Sequence, residues 1–320
     1  MAARAEPRWR HAHLLDVDVL DHGELETVIE RAEAHERDPA ASRGALRDRR
    51  LATLFYEPST RTRLSFELAA RALGAVVVDL PVAASSVTKG ESLIDTVRTL
   101  GALGIEFLVI RHPRSGAPWL AARHFPGHVI NAGDGRHAHP TQALADLLTL
   151  RHRLPRPIQG ARVTIVGDVL HSRVARSDIW ALTTMGASVT LCGPAVWLSG
   201  FDAWADAMPG DRRLAITTDL AAALRGADAV MALRVQRERL AGVTSLSESA
   251  YVAGYGLTAE RMRTARPGAL VMHPGPMNEG VEIMPDVVAG PASVITQQVT
   301  CGVLVRSAVL ALLAETDTRG

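Results

Sequence analysis

Lysine is almost missing from this sequence: of the 35 Lys and Arg residues in 320, only Lys89, in "ASSVTKGES" (84–92), is a lysine. Either the composition has drifted toward arginine and left one survivor, or position 89 needs a compact charge on a flexible stem, which guanidinium cannot supply. Cysteine is nearly absent too. Cys192 and Cys301 have no CxxC spacing, which excludes a disulfide framework and fits two plain buried thiols in a reducing compartment. Aromatic residues are only 4%, so the cores must be built from Ala, Leu, Val and Ile. A net charge of +1 without a basic block argues against a nucleic-acid partner, yet leaves scattered arginines to line a pocket for a small anion. No uncharged apolar run of about 18 residues occurs. The N-terminal "MAARAEPRWRHAHLLD" has no apolar segment of the signal-peptide kind. The expectation is a cytoplasmic protein with no membrane partner.

Several motifs are missing as well. There is no GxxxxGK[ST], so a nucleotide phosphate loop is not indicated. "GDVLHSR" follows an apolar run as a dinucleotide-binding turn would, but has one glycine where three are needed. No Ser-His-Asp or Cys-His arrangement is evident, which argues against covalent catalysis.

What is present is alternation. Apolar runs at 51–56, 75–80, 105–110 and 128–132 alternate with helix-like stretches at 60–73, 91–103 and 140–153, after a first helix within 21–38. "RLPRPIQG" (153–160) is dense in Pro and Gly and reads as a linker. The alternation then restarts with strands at 161–168, 187–193, 227–234 and 269–276 and helices near 172–186 and 217–226. A long apolar helix at 297–314 closes the chain. The predicted fold is α/β, two domains each with a parallel β-sheet flanked by helices.

The unusual polar stretches "EPSTRTR", "RHPRSG", "NAGDGRHAHPTQ", "GDVLHSR", "LRVQRER" and "HPGPMN" each follow a predicted strand. Ligands bind at the carboxyl ends of strands in open parallel sheets, so an active site in the crevice between the two domains is expected. In the first stretch Ser59 stands where a helix begins, with Thr60, Arg61 and Thr62 beside free backbone N–H groups that suit an anion. An ordinary N-cap with solvated arginines is the plain alternative. Arg111 ends another strand, though alone it reads as a loop arginine in solvent. Asp134, His137 and His139 resemble metal ligands only weakly, since catalytic zinc recruits its third ligand from a more recognisable pattern. His139, just before Pro140, suits a donor to a carbonyl oxygen better, with Gln142 as a second polar contact. Arg173 and Arg234, with Gln236 nearby, make a clamp for two carboxylates unless they pair with Asp178 or Glu238. In "VMHPGPMNEG" the carbonyls of Gly275 and Pro276 are exposed acceptors on a stiff loop.

Together, "FYEPSTRTRLSFE", "SSVTKGESLIDT", "VIRHPRSGAP", "INAGDGRHAHPTQAL", "IVGDVLHSRVARS", "LRVQRER" and "VMHPGPMNEGVEI", in this order, resemble the aspartate branch of the aspartate/ornithine carbamoyltransferase family, from about residue 13 to 314. The resemblance implies a transferase that moves the carbamoyl group of carbamoyl phosphate to the α-amine of L-aspartate. The products are N-carbamoyl-L-aspartate and phosphate, an early step of de novo pyrimidine biosynthesis. It implies a carbamoyl phosphate-binding domain at 1–151 and an aspartate-binding domain at 152–320, the last helix packing back toward the first. Ser59, Thr60, Arg61 and Thr62 then hold the phosphate. Arg111, His139 and Gln142 surround the carbamoyl end, and the Gly275 and Pro276 carbonyls face its nitrogen and the incoming amine. Arg173, Arg234 and Gln236 hold aspartate, and Ser85 and Lys89 reach the active site of a neighbouring chain in a homotrimer. His139, Arg111, Thr62 and Lys89 carry the catalysis, with no cofactor and no metal. Regulatory chains or a dihydroorotase as further partners stay open. So do two rivals, an ornithine carbamoyltransferase and a non-catalytic two-lobed binding homologue. Three positions depart from the family: Ala138 where an acid is common, Cys301 where Asn is usual, and Glu279 where Arg is often found.

Overall fold

A computed structural model describes residues 9–80, 90–208, 210, 213–235 and 247–316. The chain divides into two compact units, Met1–Leu148 with Val299–Gly320, and Thr149–Gln298. In the first, the strands β1 (Arg50–Phe55), β2 (Val76–Leu80), β3 (Phe107–His112) and β4 (His128–Asp134) form a parallel sheet in the order β2-β1-β3-β4. Its helices are α1 (His22–Arg37), α2 (Thr60–Ala72), α3 (Leu93–Ala102), α4 (Ala117–Ala122) and α5 (Pro140–Arg153), the last running on into the second unit. The central strands β1 and β3 are apolar and buried on both faces, as parallel strands covered by helices must be.

The second unit repeats the plan with β5 (Arg162–Val166), β6 (Ser188–Cys192), β7 (Arg213–Thr217), β8 (Ala229–Ala232) and β9 (Leu270–Met272), all parallel, in the order β7-β6-β5-β8-β9. Its helices are α6 (Arg173–Thr184), α7 (Ala195–Leu198), α8 (Phe201–Ala207), α9 (Leu220–Leu224), α10 (Glu248–Tyr255), α11 (Ala259–Met262) and α12 (Pro285–Val288). Helix α13 (Ile295–Glu315) begins here and continues in the first unit. It is long and apolar enough to span a membrane by composition, but 67% of that window is buried, which marks a core helix.

The order of strands decides where a ligand can sit. In the first sheet the chain steps from β1 outward to β2 and returns to the other side with β3, so the switch point lies between β1 and β3. In the second it lies between β5 and β8. Beyond these strand ends the flanking helices diverge and leave a crevice in each sheet.

Strand β7 and the helices α4, α7, α8, α10, α11 and α12 have no counterpart among the sequence expectations. β7 is a half-exposed edge strand with little apolar signal, and the helices span four to eight residues, too few for a clear 3.6-residue period. The Pro/Gly-dense stretch 153–160 is anchored at several points. Leu154 and Ile158 are buried, and Arg156 pairs with Asp228 at the start of β8. Asp228 also accepts from Arg162 N at 2.7 Å and from Arg266 Nη1 at 2.6 Å. Asp228→Ala removes a buried carboxylate shared by two guanidinium groups and a backbone N–H. The expected loss is about 3 kcal/mol of unfolding free energy, read by denaturant titration; a loss below about 0.5 kcal/mol would reduce the cluster to a surface ion pair.

Candidate functional site

Helix α2 opens directly beyond β1. Ser59 is its N-cap in extended conformation (φ −159°, ψ 90°), yet its side chain makes no capping bond, whereas Ser92 and Ser172 cap α3 and α6. The first turn of α2 holds no acidic residue, so its free N–H groups and positive dipole end are uncompensated. Arg63 is engaged by Asp79 Oδ2 at 2.7 Å. Arg61 has no hydrogen bond or ion pair among the described residues, and partial burial lowers its pKa. Thr60 is exposed and Thr62 buried. An uncompensated cation beside an uncompensated helix start is an anion site in waiting.

Arg111 sits one strand over, in register with Phe55. Its Nη1 donates to Ala132 O at 3.3 Å, and its Nε lies 3.5 Å from Glu57 Oε2. On the next strand, β4, Asp134 organises the loop that follows. It accepts from Asn131 Nδ2 (2.9 Å), Gly116 N (2.7 Å) and Ala138 N (3.1 Å). His137 Nδ1 lies 3.3 Å from Asp134 Oδ2, and hydrogen bonding to Asp134 raises its pKa. His139 is buried, and its carbonyl takes the first N–H groups of α5, Gln142 N at 3.0 Å among them. Gln142, partly exposed in the first turn, donates from Nε2 to Asp146 Oδ1 at 2.9 Å. Thus Ser59 to Thr62, Arg111, His139 and Gln142 stand at the carboxyl ends of three adjacent strands, β1, β3 and β4. Around His112, which meets Tyr56 edge-on at 4.6 Å, a cavity of about 530 Å³ opens; burial lowers the His112 pKa.

In the second unit Arg173 is the first residue of α6, beyond β5, and follows a turn braced by His171 Nδ1 and Asp168 Oδ1 at 2.8 Å. Arg234 lies two residues past β8, exposed and with no hydrogen bond or ion pair among the described residues. These two strands border the switch point. Gly275 and Pro276 follow β9 and are joined by a cis peptide bond.

Sequence reasoning missed what holds this loop. His273 Nε2 and Glu282 Oε1 form a fully buried pair at 3.2 Å, Asn278 N donates to Glu282 Oε1 at 2.5 Å, and Asn278 Nδ2 donates to Val235 O at 2.8 Å. The "HPGPMN" loop is therefore bonded to the residue directly after Arg234. The available signal was three polar residues, His273, Asn278 and Glu282, inside one quoted stretch. Ser85, Lys89 and Gln236, as well as Glu238, lie outside the described residues.

Both cysteines are buried; in β6, burial first and Asp219 second push the Cys192 thiol up to about 12, so it holds no thiolate near neutrality. Of the departures, Ala138 and Cys301 are buried and Glu279 is exposed.

The family described as "Aspartate/ornithine carbamoyltransferase, carbamoyl-P binding domain" matches residues 12–152, and its "Asp/Orn binding domain" matches 159–313. The chain is 52% identical over 312 residues to the aspartate carbamoyltransferase catalytic subunit of Roseiflexus castenholzii, covering 97% of each. To that of Chloroflexus aurantiacus it is 51% identical over 307 residues, covering 94% of this chain and 98% of the relative. Among solved structures, aspartate transcarbamoylase from Trypanosoma cruzi in complex with N-(phosphonacetyl)-L-aspartic acid superposes with a TM-score of 0.81 at 30% identity over 95% of both chains. Ornithine carbamoyltransferase from Gloeobacter violaceus gives the same TM-score and identity, covering 95% and 99%. Fold alone does not separate the two branches.

Proposed function

The chain belongs to the aspartate/ornithine carbamoyltransferase family, and on that premise we propose that it carbamoylates the α-amine of L-aspartate from carbamoyl phosphate, a step of pyrimidine biosynthesis. The observation that carries this reading is a pair of guanidinium groups. Arg61 and Arg234 each lack a partner among the described residues, and each stands beyond a strand bordering a switch point. One suits a phosphate and the other a carboxylate, whereas the side-chain amine of ornithine would call for an acidic residue there.

Ser59, Thr60, Arg61 and Thr62 hold the phosphate; Arg173, Arg234 and Gln236 hold the carboxylates of aspartate. The amine nitrogen attacks the carbamoyl carbon, the N–C bond forms, and the bond from carbon to the phosphate oxygen breaks. Thr62, Arg111 and His139 donate to the oxygen that becomes negative, each such donor lowering the barrier by about 3 kcal/mol. The Gly275 and Pro276 carbonyls accept from the carbamoyl NH2 and the incoming amine, and the departing phosphate takes the amine proton. Positioning and electrostatics carry the reaction.

The assembly is a cytoplasmic homotrimer in which Ser85 and Lys89 serve a neighbouring site. Support for association between copies comes from exposed Leu64 and Leu68, one turn apart on α2, and Val76 on the edge strand β2. The decisive assay is phosphate release from carbamoyl phosphate with L-aspartate and, separately, L-ornithine. Release with aspartate alone is expected. Release with ornithine, or with neither, would overturn the assignment.

A further inference from the structure

The amide of Gln142 can meet a carbamoyl group in two ways, donating to its oxygen from Nε2 or accepting from its NH2 at Oε1. The packing beneath the site selects one. Asp146, one turn further along α5 and 1% exposed, accepts from Gln142 Nε2 at 2.9 Å. A carboxylate has no proton to give, so the amide must face it with its NH2, and Oε1 turns away. Across from Asp146 lies Arg306 of α13, 4% exposed, for which Asp146 is the facing charge. Its guanidinium stands 5.1 Å over the ring of Phe66 on α2, and its Nε has no hydrogen-bond partner among the described residues. Gly302, one turn earlier, leaves the space: a Cβ there would collide with Arg306 Nη1. Burial brings the Arg306 pKa down to about 10, so it remains a cation at neutral pH.

We propose that Asp146 is a positioning residue that locks the Gln142 amide with its carbonyl toward the substrate, so that the site selects the NH2 of a carbamoyl group over the methyl of an acyl phosphate. The proposal rests on the reading that Gln142 touches the carbamoyl end. A methyl group offers Oε1 no proton, and an acceptor left unmatched in a site built to be bonded is a strong ground for rejection. Neither Asp146 nor Arg306 touches substrate in this scheme. Their effect passes through the orientation of one amide.

The test compares kcat/KM for carbamoyl phosphate with the inhibition constant of acetyl phosphate, which carries a methyl where carbamoyl phosphate carries NH2. Asp146→Asn presents an amide with two possible faces and releases Gln142 from a single orientation. Asp146→Leu with Arg306→Met removes both charges at similar volume, a replacement buried pairs tolerate, and serves if the single variant does not fold. Both are expected to lose about 10- to 100-fold in kcat/KM for carbamoyl phosphate, with acetyl phosphate inhibition and the KM for aspartate within about twofold of the parent. Gln142→Ala should lose as much, and adding Asp146→Asn to it should cost nothing more. If Gln142→Ala leaves the preference intact, the assignment of Gln142 fails. If Gln142→Ala abolishes the preference while the folded Asp146 variants keep it, positioning by Asp146 is overturned.

Discussion

Arg234→Ala is expected to lower kcat/KM for L-aspartate by about three orders of magnitude, about 4 kcal/mol, while the KM for carbamoyl phosphate stays within about twofold. The side chain is exposed and bonded to nothing else among the described residues, so its removal takes no hydrogen bond or ion pair from them, and the melting temperature is expected to stay within about 1 °C. The backbone that carries it is held independently, through Asn278 Nδ2 on Val235 O and the buried His273–Glu282 pair. An unchanged melting temperature would assign the loss to the ligand. Arg234→Lys should recover only part of the activity, because an ammonium cannot present the planar two-pronged donor set that a carboxylate matches. Equal damage to both substrates, measured by initial rates with each varied in turn, would show that Arg234 does not read aspartate.

The scaffold was legible because parallel strands buried on both faces must be apolar almost without interruption, and turn chemistry marks their ends. "LATLFY" and "ARVTIVGD" could hardly be anything else. Strand β7 escaped for the converse reason: an edge strand with exposed Arg213 and Ala215 carries no such run. The candidate site was legible as a position wherever an unusual polar residue follows an apolar strand, as with Arg61 beside the uncapped start of α2 or Arg234 beyond β8. The braces were not. Asp146 and Arg306 lie on α5 and α13, Asn278 bonds a carbonyl 43 residues away, and Asp228 gathers arginines from both sides of its own strand. Each of these looks ordinary in sequence, because its meaning depends on a partner that only the folded chain supplies. The Pro/Gly-dense stretch 153–160 falls where one family match ends and the other begins, but nothing local announces that Arg156 will be anchored by Asp228.

The single lysine gives the second large effect. Lys89 lies outside the described residues, and its place in a neighbouring chain's site rests on the resemblance of "SSVTKGES" alone. His139, by contrast, is fixed within its own unit at the start of α5. Lys89→Ala and His139→Ala are each expected to be nearly inactive as pure trimers, one lacking the charge beside the leaving phosphate and the other the donor to the carbamoyl oxygen. Exchange of subunits between the two should then build sites with an intact His139 on one chain and an intact Lys89 on its neighbour. Interfaces in a cyclic trimer run head to tail, so a trimer holding both kinds of chain has one interface of each sense and a third between like chains. At most one site per mixed trimer is complete, and activity should approach roughly one third of the parent without exceeding it. The measurement is phosphate release after exchange, with mixed particles verified by mass. Recovery well above one third would break the one-site geometry. If mixed trimers form and no activity returns, Lys89 serves its own chain or none, and chance then becomes the better account of why one lysine stands among so many arginines.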